Sequence, residues 1–169
     1  SFDAATIMAM ARSTDTPNEL TPLGELHEGS IRGLLGYQLA QATILTTSAF
    51  DRVVGKPLEL RPVEFTILQL VLENPSASAT QLARALAVTT PGITIWLDKL
   101  EERGLVQRVR SDIDKRKQDL RVTPKGQALV ATALERLHEA DRELLAPLSE
   151  GERRMLLELL HKVAHLRAA

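Results

Sequence analysis

The feature that most constrains this chain is a single change of period. Apolar side chains recur at helical spacing along most of its length. The exception lies between Leu105 and Val122, where Leu105–Val109 and Leu120–Val122 have β character and enclose a polar tip. One such place leaves room for one hairpin and no larger sheet. The supply of core residues agrees. The aromatic residues are Phe2, Tyr37, Phe50, Phe65 and Trp96, 3% of the chain. The interior must therefore be built from Leu, Val, Ile and Ala, which favours packed helices.

Breakers and caps divide the helical pattern. Residues 1–22 are small, polar and interrupted by Pro17 and Pro22, and read as an extension with a short helix possible over 4–12. A long amphipathic helix is expected from Leu23 to Val54. It carries Ile31, Leu34, Leu35, Ala42, Leu45 and Ala49, with Gly55-Lys56-Pro57 as its stop. Pro62 opens a second helix bearing Phe65, Leu68 and Leu72, closed by Asn74-Pro75. Ser78 caps a third helix with Leu82, Ala83 and Leu86. Thr89 and Thr90 precede Pro91 at the start of a fourth, with Ile93, Leu97 and Leu100 inward and Gly104 as its stop. After the hairpin, Thr123-Pro124 opens a fifth helix with Leu129, Leu134, Leu137 and Leu144 as its apolar positions. Ser149 and Glu152 form a capping box for a last helix carrying Met155, Leu156, Leu159, Leu160, Val163 and Leu166.

The order predicts a mainly α fold with a small β-hairpin wing. A winged helix-turn-helix over 57–126 is flanked by helical dimerisation regions, 23–56 and 127–169. The terminal helices hold more leucine than a chain end can bury alone. The economical cover is the same surface of a second copy, giving a two-fold homodimer.

Charge points to the other partner. The net charge is −1, but residues 103–125 alone hold eight basic and three acidic side chains. A basic stripe on a near-neutral protein marks a face for an anion, here double-stranded DNA. The chain has no cysteine, which excludes disulfides, thiolate–zinc sites, iron–sulfur clusters and thiol nucleophiles. No long apolar run suits a membrane, and no basic-then-apolar leader is visible, so a cytoplasmic location is expected. Phosphate-cradling, nucleophile-elbow and zinc-protease motifs are missing, so neither an enzyme nor a resident cofactor is expected. His161 and His165, spaced i, i+4, suit zinc only if other ligands join them.

Three stretches now carry a resemblance: Ala79-Thr-Gln-Leu-Ala-Arg-Ala-Leu-Ala-Val, Thr94-Ile-Trp-Leu-Asp-Lys-Leu-Glu-Glu-Arg-Gly-Leu-Val, and the wing with Arg110, Asp114-Lys-Arg116 and Leu120-Arg-Val-Thr-Pro-Lys-Gly126. Together they resemble the MarR family, the multiple-antibiotic-resistance-type regulators, over roughly residues 25–166. The resemblance implies a homodimeric DNA-binding repressor relieved by a small ligand. It also implies an effector pocket between the long dimer helix and the DNA-binding lobe, lined here by His27, Tyr37, Phe65 and Gln69. A phenol and an imidazole beside apolar walls suit a small aromatic acid. Packing at a dimer interface is the alternative reading of Tyr37.

On DNA, the N-terminal turn of the fourth helix would enter the major groove. Thr89, Thr90 and Thr94 offer hydroxyls there, and exposed backbone N–H groups favour phosphate. Lys99, Arg103 and Arg84 are candidate phosphate contacts. At the wing tip, Arg116 beside Lys115 and Lys117 suits a narrow minor groove. Asp114 is expected to accept hydrogen bonds from Arg116 or Arg110 and so fix the wing. Ile95 departs from the resembled pattern, which often has a polar or basic residue there. It cannot make a bidentate guanine contact, and either packs on a thymine methyl or faces an apolar neighbour. Three rivals remain: a dimeric winged-helix protein-interaction module, a metal-responsive regulator using His138, His161 or His165, and a small-molecule-binding carrier or enzyme, whose ligand affinity would not depend on DNA.

Overall fold

The computed structural model describes residues 19–110 and 118–168, and these divide into two compact units at the Thr47–Ser48 bond. In the first unit Leu20 bridges His27 in antiparallel fashion. A 3-10 turn follows at Gly29–Gly33, and helix α1 spans Leu35–Phe50, crossing into the second unit. The helix expected from Leu23 therefore starts later. Gly24, Glu25 and Gly29 hold φ of 88°, 50° and 52°, in the left-handed region that a right-handed helix cannot contain.

The expected stop at Gly55-Lys56-Pro57 is also corrected. The helical path widens into a π turn over Asp51–Gly55, where the Lys56 N–H reaches the Asp51 carbonyl, and continues through Lys56–Leu58. Pro57 has no N–H to offer the Val53 carbonyl four residues earlier. The Arg136 guanidinium donates to that carbonyl at 3.2 Å instead. Glu59, at φ 49°, ends the run.

The second unit continues with α2 (Pro62–Glu73), α3 (Ala79–Leu86), α4 (Thr90–Glu102), strands β1 (Val106–Arg110) and β2 (Gln118–Val122), α5 (Pro124–Leu144) and α6 (Glu150–His165), closed by a 3-10 turn, Leu166–Ala168. The caps read from the sequence are formed. Ser78, Thr89, Thr123 and Ser149 each accept a backbone N–H from the first turn of their helix. Hydrogen bonds from Ser149 hold the Glu152 carboxyl below its usual range. The strands pair antiparallel, Val106 opposite Val122 and Arg108 opposite Leu120. This is the expected helical architecture with a two-stranded wing. Among the described residues no helix is long and apolar enough to cross a membrane.

The core joins Val54, Ile67, Leu68, Ile93, Leu97, Leu100, Leu105 and Val130. On α5 the fully buried stripe is Gly126, Val130, Ala133 and Ala140 rather than the expected leucines, and Leu129, Leu134, Leu137 and Leu144 are only half-buried. Small residues let the α5 backbone approach the hairpin. A Cβ on Gly126 would lie 2.3 Å from the Leu105 carbonyl oxygen and 2.7 Å from Val122 Cγ1. Thr123 ties the same junction by donating its hydroxyl to the Gly104 carbonyl at 2.7 Å. No residue of α6 is buried, and Met155, Leu157 and Leu159 are more than half exposed.

Two substitutions should move stability in opposite directions. Gly126→Ala is expected to cost about 2 kcal/mol or more, because both clashing groups belong to the packed junction. Ala87, which ends α3 at φ 54°, should gain about 1 kcal/mol on replacement by glycine. Urea unfolding midpoints would check both; a neutral Gly126→Ala would mean the junction opens freely.

Candidate nucleic-acid interface

The surface that α4 offers is fixed by what it buries. Ile93, Leu97 and Leu100 point into the core, so Thr90, Pro91, Thr94, Ile95, Asp98 and Lys99 lie outward and exposed. The Thr89 side chain accepts the Gly92 N–H at 3.3 Å, and Thr94 donates its hydroxyl to the Thr90 carbonyl at 3.1 Å. Thr89, Thr90 and Thr94 thus sit together at the helix start. Arg84 is exposed on α3, with the turn at Ala87–Thr89 between the two helices.

The cations near α4 are differently placed. Lys99 Nζ lies 5.1 Å from the centre of the Trp96 ring, and Arg61 Cζ lies 5.6 Å from it. Trp96 itself packs against the core. Arg103, a candidate phosphate contact, pairs its guanidinium with the Glu64 carboxylate at 3.5 Å. Glu64 is only 5% exposed and also accepts the Arg61 N–H at 2.9 Å. A buried carboxylate needs such a partner, and Arg103 is the cation within reach.

Arg108 was not among the residues singled out from the sequence. From β1 it reaches across to α4, bonding Asp98 at 2.5 Å and, through its other terminal nitrogen, Glu101. Its own N–H also approaches Glu101 at 3.3 Å. The hydrogen bond to Asp98, with the field of both carboxylates, raises its pKa further. The clamp ties the wing strand to the outward face of α4 and compensates two acids there. The available signal was a pair of acids at i, i+3 near the end of a helix, followed by arginine on the next strand.

The tip, with Asp114, Lys115, Arg116 and Lys117, lies outside the described residues, and Arg110 is placed by its backbone as the partner of Gln118 in the wing. The four residues expected at a ligand pocket fall in the two separate units. In the first, His27 is exposed, and the Tyr37 hydroxyl donates to Glu28 at 2.8 Å, which raises the phenol's pKa. In the second, the Phe65 ring lies 6.1 Å from Phe50. Gln69 donates to Glu73 at 2.9 Å, leaving its buried Oε1 without a hydrogen-bond partner. His161 and His165 stack with ring centres 4.2 Å apart, and no described group of three or more His, Asp or Glu forms a metal-binding set.

Comparison with known proteins gives this geometry a setting. The MarR family model matches residues 60–117. A Thauera aromatica protein described as a candidate transcriptional regulator of the hcr operon is 33% identical over 141 residues, covering 83% of this chain and 85% of that one. The repressor CouR, solved with a 23-mer DNA duplex, is 34% identical with a TM-score of 0.75, covering 83% of this chain and 99% of its own. CouR bound to p-coumaroyl-CoA is 33% identical with a TM-score of 0.71, covering 83% and 98%.

Removing the clamp should expose Asp98 and Glu101 to the DNA phosphates. Arg108→Ala is expected to weaken duplex binding about fivefold at moderate salt. The double substitution Asp98→Asn with Glu101→Gln in that background should restore most of the loss. Fluorescence anisotropy would check this; equal affinity with and without Arg108 would mean these acids lie beyond the DNA's reach.

Proposed function

The chain belongs to the MarR family of DNA-binding transcriptional regulators, and from that premise we propose that it is a homodimeric repressor. It occupies a pseudo-palindromic operator and leaves it when a small phenol or an aromatic acid, free or as its coenzyme A thioester, binds. The observation that carries the reading is the likeness, over 83% of the chain, to one repressor solved both with a DNA duplex and with an aromatic acyl-CoA. The chain's own chemistry supports it. The capped, exposed start of α4 beside an antiparallel wing suits a major groove with an adjoining minor groove. The unburied leucines of α6 need a cover, and a second copy supplies one with two-fold symmetry. Two recognition helices about 34 Å apart then read half-sites one turn apart.

The ligand reading is supported by Gln69. Its amide orientation is set by the bond to Glu73, so the buried free atom is the oxygen. A buried acceptor without a partner costs free energy, and a ligand hydroxyl would relieve it. Ligand control needs unequal affinity for two states of the protein. A 100-fold loss of DNA affinity corresponds to about 2.7 kcal/mol of coupling.

Selection from a random duplex pool, with wild type and Arg116→Ala in parallel, should enrich an inverted repeat whose A·T flanks are relaxed in the variant. With about eight phosphates engaged, log affinity should fall with log salt at a slope of about −7. Adding p-coumaroyl-CoA to the selected complex should release DNA at least tenfold, and Gln69→Met should blunt that response without altering DNA affinity in its absence. Tyr37→Phe, measured alone, tests the assignment in the first unit. Leu159→Glu should shift the protein toward monomer in sedimentation. Failure to enrich any duplex would turn the reading toward a protein-interaction module.

A further inference from the structure

We infer that Ile95 is the specificity-determining residue of α4, reading a thymine methyl group in each half-site. The inference rests on the reading that α4 enters the major groove and adds which base chemistry it recognises there.

Three observations carry it. First, Ile95 is 57% exposed on the outward face, on the turn above Pro91 and beside Thr94. Positions i, i+3 and i+4 of a helix share one face, so these three present a contiguous patch of carbon. Second, three described cations on or next to α4 are engaged within the protein. Lys99 lies over Trp96, Arg103 pairs with Glu64, and Arg108 spans Asp98 and Glu101. The bidentate arginine or lysine contact to guanine O6 and N7 thus has no donor on the base-facing turns, which hold Thr90, Pro91, Thr94 and Ile95. Third, the Thr94 hydroxyl spends its proton on the Thr90 carbonyl, so toward DNA it is an acceptor, suited to the amino group of adenine or cytosine.

In the major groove, thymine is distinguished by its C5 methyl group, which is the natural partner of an exposed aliphatic side chain. Burying that methyl against Ile95 removes apolar surface of both from water. Cytosine offers only hydrogen in its place. A guanine would set its two acceptors against carbon and leave them unpaired.

The test is a cycle between side chain and base methyl. Wild type, Ile95→Ala and Ile95→Val are each selected on a random duplex pool. Each is then titrated against the wild-type consensus carrying thymine or deoxyuridine at the enriched position. The expected results are one thymine per half-site in the wild-type and Ile95→Val consensus, relaxed in Ile95→Ala, and about a fourfold affinity loss per half-site on removing the methyl. That loss should vanish in Ile95→Ala, and 5-methylcytosine should recover affinity that cytosine lacks. Because Ile95 is exposed, thermal midpoints should agree among the three proteins. The inference is overturned if wild type and Ile95→Ala select the same consensus or respond equally to deoxyuridine. If wild type enriches no duplex at all, the DNA-binding reading fails first and this one with it.

Discussion

The burial of Ile93, Leu97 and Leu100 is the constraint from which the rest of the molecule follows. These three side chains fix the rotation of α4 about its own axis, and with it which residues face outward. A roll of one residue position, 100°, would turn Ile95 or Asp98 toward the core and Leu97 toward solvent. The hairpin then has to leave α4 at Gly104 and return to α5 at Thr123, and this junction is closed by backbone contact. Gly126 is part of the same solution, since the α5 backbone meets the Leu105 carbonyl at a distance that admits no side chain.

Much of this was legible in the sequence because local signals and global packing agree. Caps at Ser78, Thr89, Thr123 and Ser149 were visible as residue types at fixed offsets, and each is formed. The wing showed itself by its change of period. Elsewhere, local signals were overridden. The start of α1 was misread because Leu23, Leu26 and Ile31 keep apolar spacing while Gly24 and Gly29 take positive φ, and spacing alone does not report φ. Gly55-Lys56-Pro57 looked like a stop because a proline normally ends a helix; a widened turn and an arginine from α5 accommodate it, and that partner is remote in sequence. On α5, leucines drew the eye, but tight backbone approach selects the smallest side chains for the inner face. The ion pairs of Arg108 and Arg103 were not legible because partners depend on tertiary proximity, which periodicity does not encode.

The electrostatic arrangement has a consistent logic. The outward face of α4 carries acid as well as hydroxyls and carbon, an awkward surface to bring toward phosphates. Arg108 compensates Asp98 and Glu101 from the neighbouring strand, and Arg103 compensates the buried Glu64 from the end of the same helix. Each arginine serves structure first. In the sequence, positive charge outside these pairs is grouped at Arg110 and Lys115-Arg116-Lys117, whereas the turns of α4 that hold Thr90, Pro91, Thr94 and Ile95 carry none.

With α4 in the groove as proposed, that separation would divide the work of binding. Contacts to phosphate supply most of the affinity, carry little sequence information and weaken with salt. Contacts to base edges supply discrimination, and methyl burial gives it without long-range attraction. A helix that faces the groove with threonine, proline and isoleucine adds little non-specific affinity of its own. An arginine in place of Ile95 would attract every phosphate it passed, raising binding to all sequences along with the favoured one. Discrimination depends on the difference between right and wrong sites, so an uncharged reading surface flanked by charged anchors keeps the two contributions separately adjustable.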